Sequence, residues 1–173
     1  KSLVEKMGGS IAFTSQEGVG SQFVIRIPFK IDEEHKNERV KESASVSIEG
    51  LRVLLVEDNE LNMEIARFII ENEGARVTCA TNGKEAVDIY KNAPESFDII
   101  LMDIMMPEMD GYEATRMIRE MDLNIPIVAM TANAFMEDKM KAKKAGMNAH
   151  VSKPLDKDVL IRVISKLCGY KLK

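Results

Sequence analysis

Five positions in this sequence could do chemistry together. Glu57 and Asp58 close one short apolar run, Asp103 closes another, Thr131 ends a third and Lys153 follows a fourth. A carboxylate is ionised at neutral pH, so Asp103 could attack phosphorus without a general base and form an aspartyl phosphate. Phosphoryl transfer is mostly positioning plus charge neutralisation. Lys153 would pair with one phosphoryl oxygen and the Thr131 hydroxyl would donate to another. Three carboxylates brought close together resist ionising unless a cation joins them. An all-oxygen set with no imidazole or thiolate points to Mg²⁺, or Mn²⁺, holding several waters. Taken singly, each residue has an ordinary explanation as a helix cap, a strand hydroxyl or a surface charge. Their placement at the ends of different strands carries the reading.

The elements that must position them follow from the apolar pattern. Phe97 to Gly111 is the centre: a short apolar run, the lone carboxylate Asp103, a Met-rich loop with Pro107, and Asp110-Gly111 to open a helix. A continuous apolar run between helical patterns suits a parallel strand covered on both faces. Asp103 then sits at the strand's carboxyl end, where open α/β sheets place their chemistry.

Five strand–helix repeats run from Leu51. Strands are expected at 51–56, 76–80, 98–103, 127–130 and 149–152. The helices are expected from a cap at Asn59 to about Glu73, from Asn82 (with Glu85 three residues on) to about Asn92, from the cap at Asp110, over about 133–145, and over 155–168. Ala114, Met117, Ile118 and Met121 form an apolar stripe at helical spacing, and Val159, Leu160, Val163, Ile164 and Leu167 another. The helix over 133–145 has a poor stripe among four lysines. Right-handed crossovers make this a doubly wound α/β sheet of five parallel strands, (βα)5, in the flavodoxin-like order 2-1-3-4-5.

The rest of the chain is different. Residues 1–29 read as a helix end stopped by Gly8-Gly9, then a hairpin with Phe23, Ile25, Ile27 and Phe29 on one face. So small a piece cannot bury a core of its own, and it reads as the trailing edge of a larger domain. Residues 30–50, dense in charge and Ser, read as a linker, with His35 solvated. The 173 residues carry 45% hydrophobic and 30% charged residues and a net charge of −4. That balance argues against a nucleic-acid surface. No apolar run is long enough to span a bilayer, and no membrane contact is expected of this segment. Cys79 and Cys168, in no metal-ligand spacing, read as buried free thiols in a reducing, cytoplasmic setting.

The motifs Val56-Glu57-Asp58-Asn59, Met102 to Gly111, Met130-Thr131-Ala132-Asn133-Ala134 and Ser152-Lys153-Pro154-Leu155 resemble the receiver domain of response regulators; the resemblance covers essentially all of Leu51 to Leu167, within a domain expected over residues 51–171. Ser2 to Ile11 with Glu17-Gly18-Val19-Gly20-Ser21-Gln22-Phe23 resembles the end of the ATP-binding domain of sensor histidine kinases, with Gly18 and Gly20 matching its last glycine box. Together they resemble the C-terminal part of a hybrid histidine kinase, a phosphotransferase of two-component signalling that can itself be membrane-anchored. The resemblance implies that Asp103 accepts a phosphoryl group from phosphohistidine. It implies that Asp58 and Asp103 ligate Mg²⁺ directly, Glu57 through water, and the Met105 backbone carbonyl as a further ligand. It also implies a cis peptide before Pro154 and a conformational switch involving Thr131 and the residue three before Lys153. That residue is usually Tyr or Phe; here it is His150, which either fills the aromatic's place or adds a pH dependence.

The donor would be a helix bundle bearing phosphohistidine, either the kinase's own dimerisation domain or a histidine phosphotransfer protein. Asn62, Met63, Ala66 and Ile70, on a helix too apolar for one sheet face, are the expected docking residues. This segment lacks the phosphorylatable histidine and the earlier ATP boxes, so kinase activity is expected only of a longer parent. An interaction module with a silent site is the alternative. An aspartyl-phosphate phosphatase would want an acid where Met105 stands.

Overall fold

The structure is a computed structural model that describes residues 2–18, 20–29, 47–132 and 136–169. The chain divides into two units, residues 1–43 and 44–173. In the first, helix α1 (Ser2–Lys6) leads into an antiparallel hairpin of β1 (Ser10–Gln16) and β2 (Gly20–Arg26). Gly8, at φ +71°, ends the helix in the left-handed conformation. Phe13 faces Phe23 across the strands, with their rings stacked at 5.9 Å. Both rings are about two-thirds exposed, and Ile25 and Phe29 are exposed as well. The hairpin forms as expected and buries little.

The second unit is a five-stranded parallel sheet. Its strands are β3 (Arg52–Val56), β4 (Arg76–Ala80), β5 (Ile99–Asp103), β6 (Ile127–Thr131) and β7 (Ala149–Ser152). They lie in the order β4-β3-β5-β6-β7, which is the expected 2-1-3-4-5. The helices are α2 (Glu60–Asn72), α3 (Gly83–Asn92), α4 (Gly111–Met121), α5 (Met136–Ala145) and α6 (Lys157–Leu167). Among the described residues no helix is long and apolar enough to cross a membrane.

The continuous apolar strands resolve into two faces because successive side chains point to opposite sides. Leu54, Val56, Ile100, Met102, Ile127 and Ala129 join Tyr90, Ile118 and Ala142 in one core. Val53, Leu55, Ile99, Leu101, Val128 and Met130 join Ala66, Ile70, Leu160 and Ile164 in the other. Every residue of β5 and β6 is buried, whereas the edge strands β4 and β7 are partly exposed.

The predicted caps are present. The side chains of Asn59, Asn82 and Asp110 accept from the backbone N–H of Asn62, Glu85 and Glu113. The last helix starts later than expected. Asp156 caps it, accepting from the Val159 N–H; Val159, expected inward, is exposed, and Ile161 is buried. Met117 and Met121, read as core, are partly exposed, and only Ala114 and Ile118 of that stripe are buried.

The linker also ends earlier than expected. Ile48 is fully buried in the core with Ala66, Ile70 and Leu160. Gly50 N–H bonds the Gly74 carbonyl and Leu51 N–H bonds that of Ile48. The domain therefore includes Ser47–Gly50. Ile48→Ala is expected to cost about 2–5 kcal/mol, the range for truncating a buried Ile. Urea unfolding of the parent and the variant measures the difference.

Candidate active site

Parallel pairing collects the carboxyl ends of β3, β5, β6 and β7 at one edge. The register pairs Val56 with Met102, Asp103 with Met130, and Thr131 with Ser152. The ladder continues past the strand ends: Ile104 N–H bonds the Met130 carbonyl, and Lys153 N–H bonds that of Thr131 at 2.7 Å. Residues from four separate parts of the sequence are thereby fixed against one another.

Glu57 and Asp103 are buried, at 2% and 4% exposure, and Thr131 at 8%; Asp58 is exposed. Carboxylate oxygens of Glu57, Asp58 and Asp103 lie within 4.8 Å of one another. Lys153 reaches into this cluster. Its Nζ is 2.5 Å from Glu57 Oε2 and 2.7 Å from Asp103 Oδ2. The Met105 N–H is 3.4 Å from Asp103 Oδ1, and the Met105 side chain is exposed.

Burial, with the charge of Glu57 adding to it, outweighs the hydrogen bond from Lys153 and holds the Asp103 carboxyl above the ordinary carboxylate range. Burial pulls the Lys153 ammonium down, but Asp103 and Glu57 more than offset it and keep the pKa above its usual value. One ammonium among three carboxylates leaves the cluster negative. The donors suit a hard, oxygen-seeking cation.

The loop after Asp103 is held by its backbone. Gly111 N–H bonds the Ile104 carbonyl and Gly83 N–H that of Met109. A Cβ on Gly111 would lie 2.1 Å from the Asp103 carbonyl oxygen, so only glycine lets the chain pass there. The Lys153–Pro154 peptide is cis.

Glu57, Asp58, Asp103, Thr131 and Lys153 thus share one edge. Asn133 and Ala134 of the third motif lie outside the described residues. His150 is half-buried on β7. Burial and the charge of Lys139 push its imidazole below the usual value. The two thiols are half-buried rather than fully buried, and desolvation raises both, Cys168 to about 11.

Three of the four expected docking residues need correction, while Asn62 is exposed. Ala66 and Ile70 are 1% and 0% exposed and Met63 packs on the same core, because this is the face that α2 lays on the sheet. Asn62 donates its side-chain amide to Glu57 Oε1 at 3.1 Å. The apolar residues that α2 leaves exposed are Leu61, Ile65 and Phe68. Their i, i+4, i+7 spacing is a second stripe, hidden in the sequence because the helix is apolar on two sides.

An acid whose folded pKa lies above its unfolded value binds its proton more tightly when folded. Its ionisation therefore removes stability as pH rises through that interval. In metal-free buffer Asp103→Asn is expected to raise the urea midpoint at pH 7, with the gain shrinking below about pH 4, where the unfolded chain's carboxyl is protonated too. Parallel urea titrations at the two pH values check this.

Residues 53–165 match the family described as response regulator receiver domain. The aerobic respiration control sensor protein ArcB of Escherichia coli is 38% identical over 168 residues, covering 95% of this chain and 21% of its own length. Probable histidine kinase 6 of rice is 36% identical, covering 68% of this chain and 14% of its own length. The chain thus spans about a fifth or less of these curated relatives. Among solved structures, the receiver domain of the Pseudomonas aeruginosa sensor histidine kinase PA1611, with a magnesium ion coordinated in its active site cleft, is 38% identical. It covers 69% of this chain and 98% of its own, with a TM-score of 0.65. The receiver domain of Saccharomyces cerevisiae Ssk1, crystallised with the histidine phosphotransfer protein Ypd1, is 29% identical, covering 72% of this chain and 93% of that one, with a TM-score of 0.66.

Proposed function

The chain belongs to the response regulator receiver domain family, and on that premise we propose that Asp103 is the phosphoacceptor of a two-component phosphorelay. The observation that carries this is the buried Asp103 carboxylate, 2.7 Å from Lys153 Nζ and clustered with Glu57 and Asp58. An Asp103 oxygen forms a bond to phosphorus as the bond from phosphorus to the histidine nitrogen breaks, and the imidazole leaves with that electron pair. Lys153 turns from the carboxylate to a phosphoryl oxygen, and the Thr131 hydroxyl donates to another. Both groups bias the domain towards the phosphorylated arrangement, with His150 as the second switch position. Asp58, Asp103, the Met105 carbonyl and, through water, Glu57 would hold Mg²⁺, for which Mn²⁺ can substitute; when bound it supplies neutralisation of the phosphoryl charge. The magnesium in the similar PA1611 receiver supports this choice.

The donor is proposed to be a helix bundle carrying phosphohistidine. The Ypd1–Ssk1 complex supports that partner class, and Leu61, Ile65 and Phe68 offer the exposed apolar stripe for it, beside the acidic cluster. Residues 2–29 are proposed to be the trailing edge of a kinase ATP-binding domain. The exposed stacked pair Phe13–Phe23 and the alignment of ArcB over 95% of this chain support it. The parent would then be a hybrid histidine kinase of the cytoplasm or its inner membrane face.

Incubation with Mg²⁺ and a small acyl phosphate is expected to add one phosphoryl group to the parent and none to Asp103→Asn, read by intact mass. A folded, Mg²⁺-binding parent that gains nothing would favour the silent interaction module. For the docking stripe, a Leu61→Ala/Phe68→Ala double variant is expected to slow transfer from a phosphorylated histidine phosphotransfer domain by roughly tenfold or more. Its labelling by acyl phosphate should stay at the parent rate. Equal transfer rates would remove the stripe from the interface.

A further inference from the structure

We propose that Asn62 is a positioning residue for Glu57 and so sets the affinity of the acidic cluster for a divalent cation. The inference rests on the Mg²⁺ reading above. Glu57 is 2% exposed, so its oxygens must find partners within the protein. Oε2 meets the Lys153 ammonium at 2.5 Å, and Oε1 accepts from Asn62 Nδ2 at 3.1 Å. These two contacts pull from opposite oxygens and fix the rotation of the carboxylate. With both oxygens held, the carboxylate stays in the cluster with Asp58 and Asp103.

The chemistry of the donor matters. A lysine or arginine at position 62 would bring a positive charge against Glu57 and compete with a metal ion. An amide donates a hydrogen bond and leaves the negative charge in place. Asn62 is itself well anchored: its backbone N–H bonds the Asn59 side chain at 3.0 Å, in the first turn of α2. Three polar residues at close spacing therefore form a chain of support from the helix cap to the strand end. Partners that orient metal-ligating groups in this way commonly change metal affinity by tenfold or more when removed.

The test is Mg²⁺ titration by calorimetry on the full chain, beside urea unfolding in metal-free buffer. Asn62→Leu keeps the approximate volume and removes the donor. It is expected to weaken Mg²⁺ binding about tenfold, while the metal-free protein stays folded and its urea midpoint falls by no more than the loss of one hydrogen bond to a buried carboxylate allows. Parent-like Mg²⁺ affinity in Asn62→Leu would overturn the proposal. So would a metal-free Asn62→Leu protein with no cooperative unfolding transition, since that makes Asn62 a structural residue. A folded parent that binds no Mg²⁺, or whose binding survives Asp58→Asn unchanged, would instead remove the metal reading itself, and this proposal with it.

Discussion

The governing constraint is the gathering of negative charge in a place sheltered from water. Two carboxylates about 5 Å apart repel by roughly 3 kcal/mol at an effective dielectric of about 20, and here three share one strand edge. No local sequence preference would bring them together. The parallel sheet does so, because its hydrogen-bond register fixes where β3 and β5 end. Lys153 offsets part of the repulsion. It arrives from β7 because its own N–H is tied to the Thr131 carbonyl. The backbone ladder thus positions the compensating charge, and the cluster keeps a net negative potential in which a hard cation is stable.

Much of this was legible in the sequence for a simple reason. Strand ends and helix caps are local features: Asn59, Asn82 and Asp110 each cap the helix that their side chains foretold. The site followed from them, since parallel strands align their carboxyl ends whatever lies between. Helix faces were less legible. Helix α2 has apolar residues on two sides, and its sequence does not say which one meets the sheet. Ala66 and Ile70 went inward and Leu61, Ile65 and Phe68 outward, an outcome set by the crossover from β3. Val159 failed differently: Ile161 rather than Val159 fills the core beside Leu160. Ile48 was hidden at the end of a polar stretch, and its place in the core depends on long-range contacts: packing on Ala66, Ile70 and Leu160 and the bond from Gly50 to Gly74 beside it.

The two flanks of the site differ in how firmly they are held. Helix α2 is capped by Asn59, buries Ala66 and Ile70, and packs Met63 and Ile69 on the same core. Its first turn touches the site through Asn62, so this flank offers rigid geometry. Across the sheet, α5 presents Lys139, Met140, Lys141, Lys143 and Lys144 to solvent, and of its described side chains buries only Ala142 and Ala145, two of the smallest. Small buried area means little free energy opposing displacement.

On the proposed phosphoacceptor reading, that asymmetry would divide the labour of the domain. A phosphoryl donor must meet a fixed surface if the reacting atoms are to align, which suits the α2 flank. A signal must displace something, and the lightly anchored α5 with its neighbour β7 is where displacement is least opposed. Thr131, at the end of β6, lies between the two, and Lys153 is bonded to its carbonyl. New negative charge on Asp103 would draw Lys153 and the Thr131 hydroxyl inward. The neighbouring strand is β7, on which His150 is half-buried near Lys139. A neutral imidazole of moderate size can enter a partly apolar space without carrying a charge into it. Histidine at this position is therefore physically compatible with the same inward movement that an aromatic ring would make.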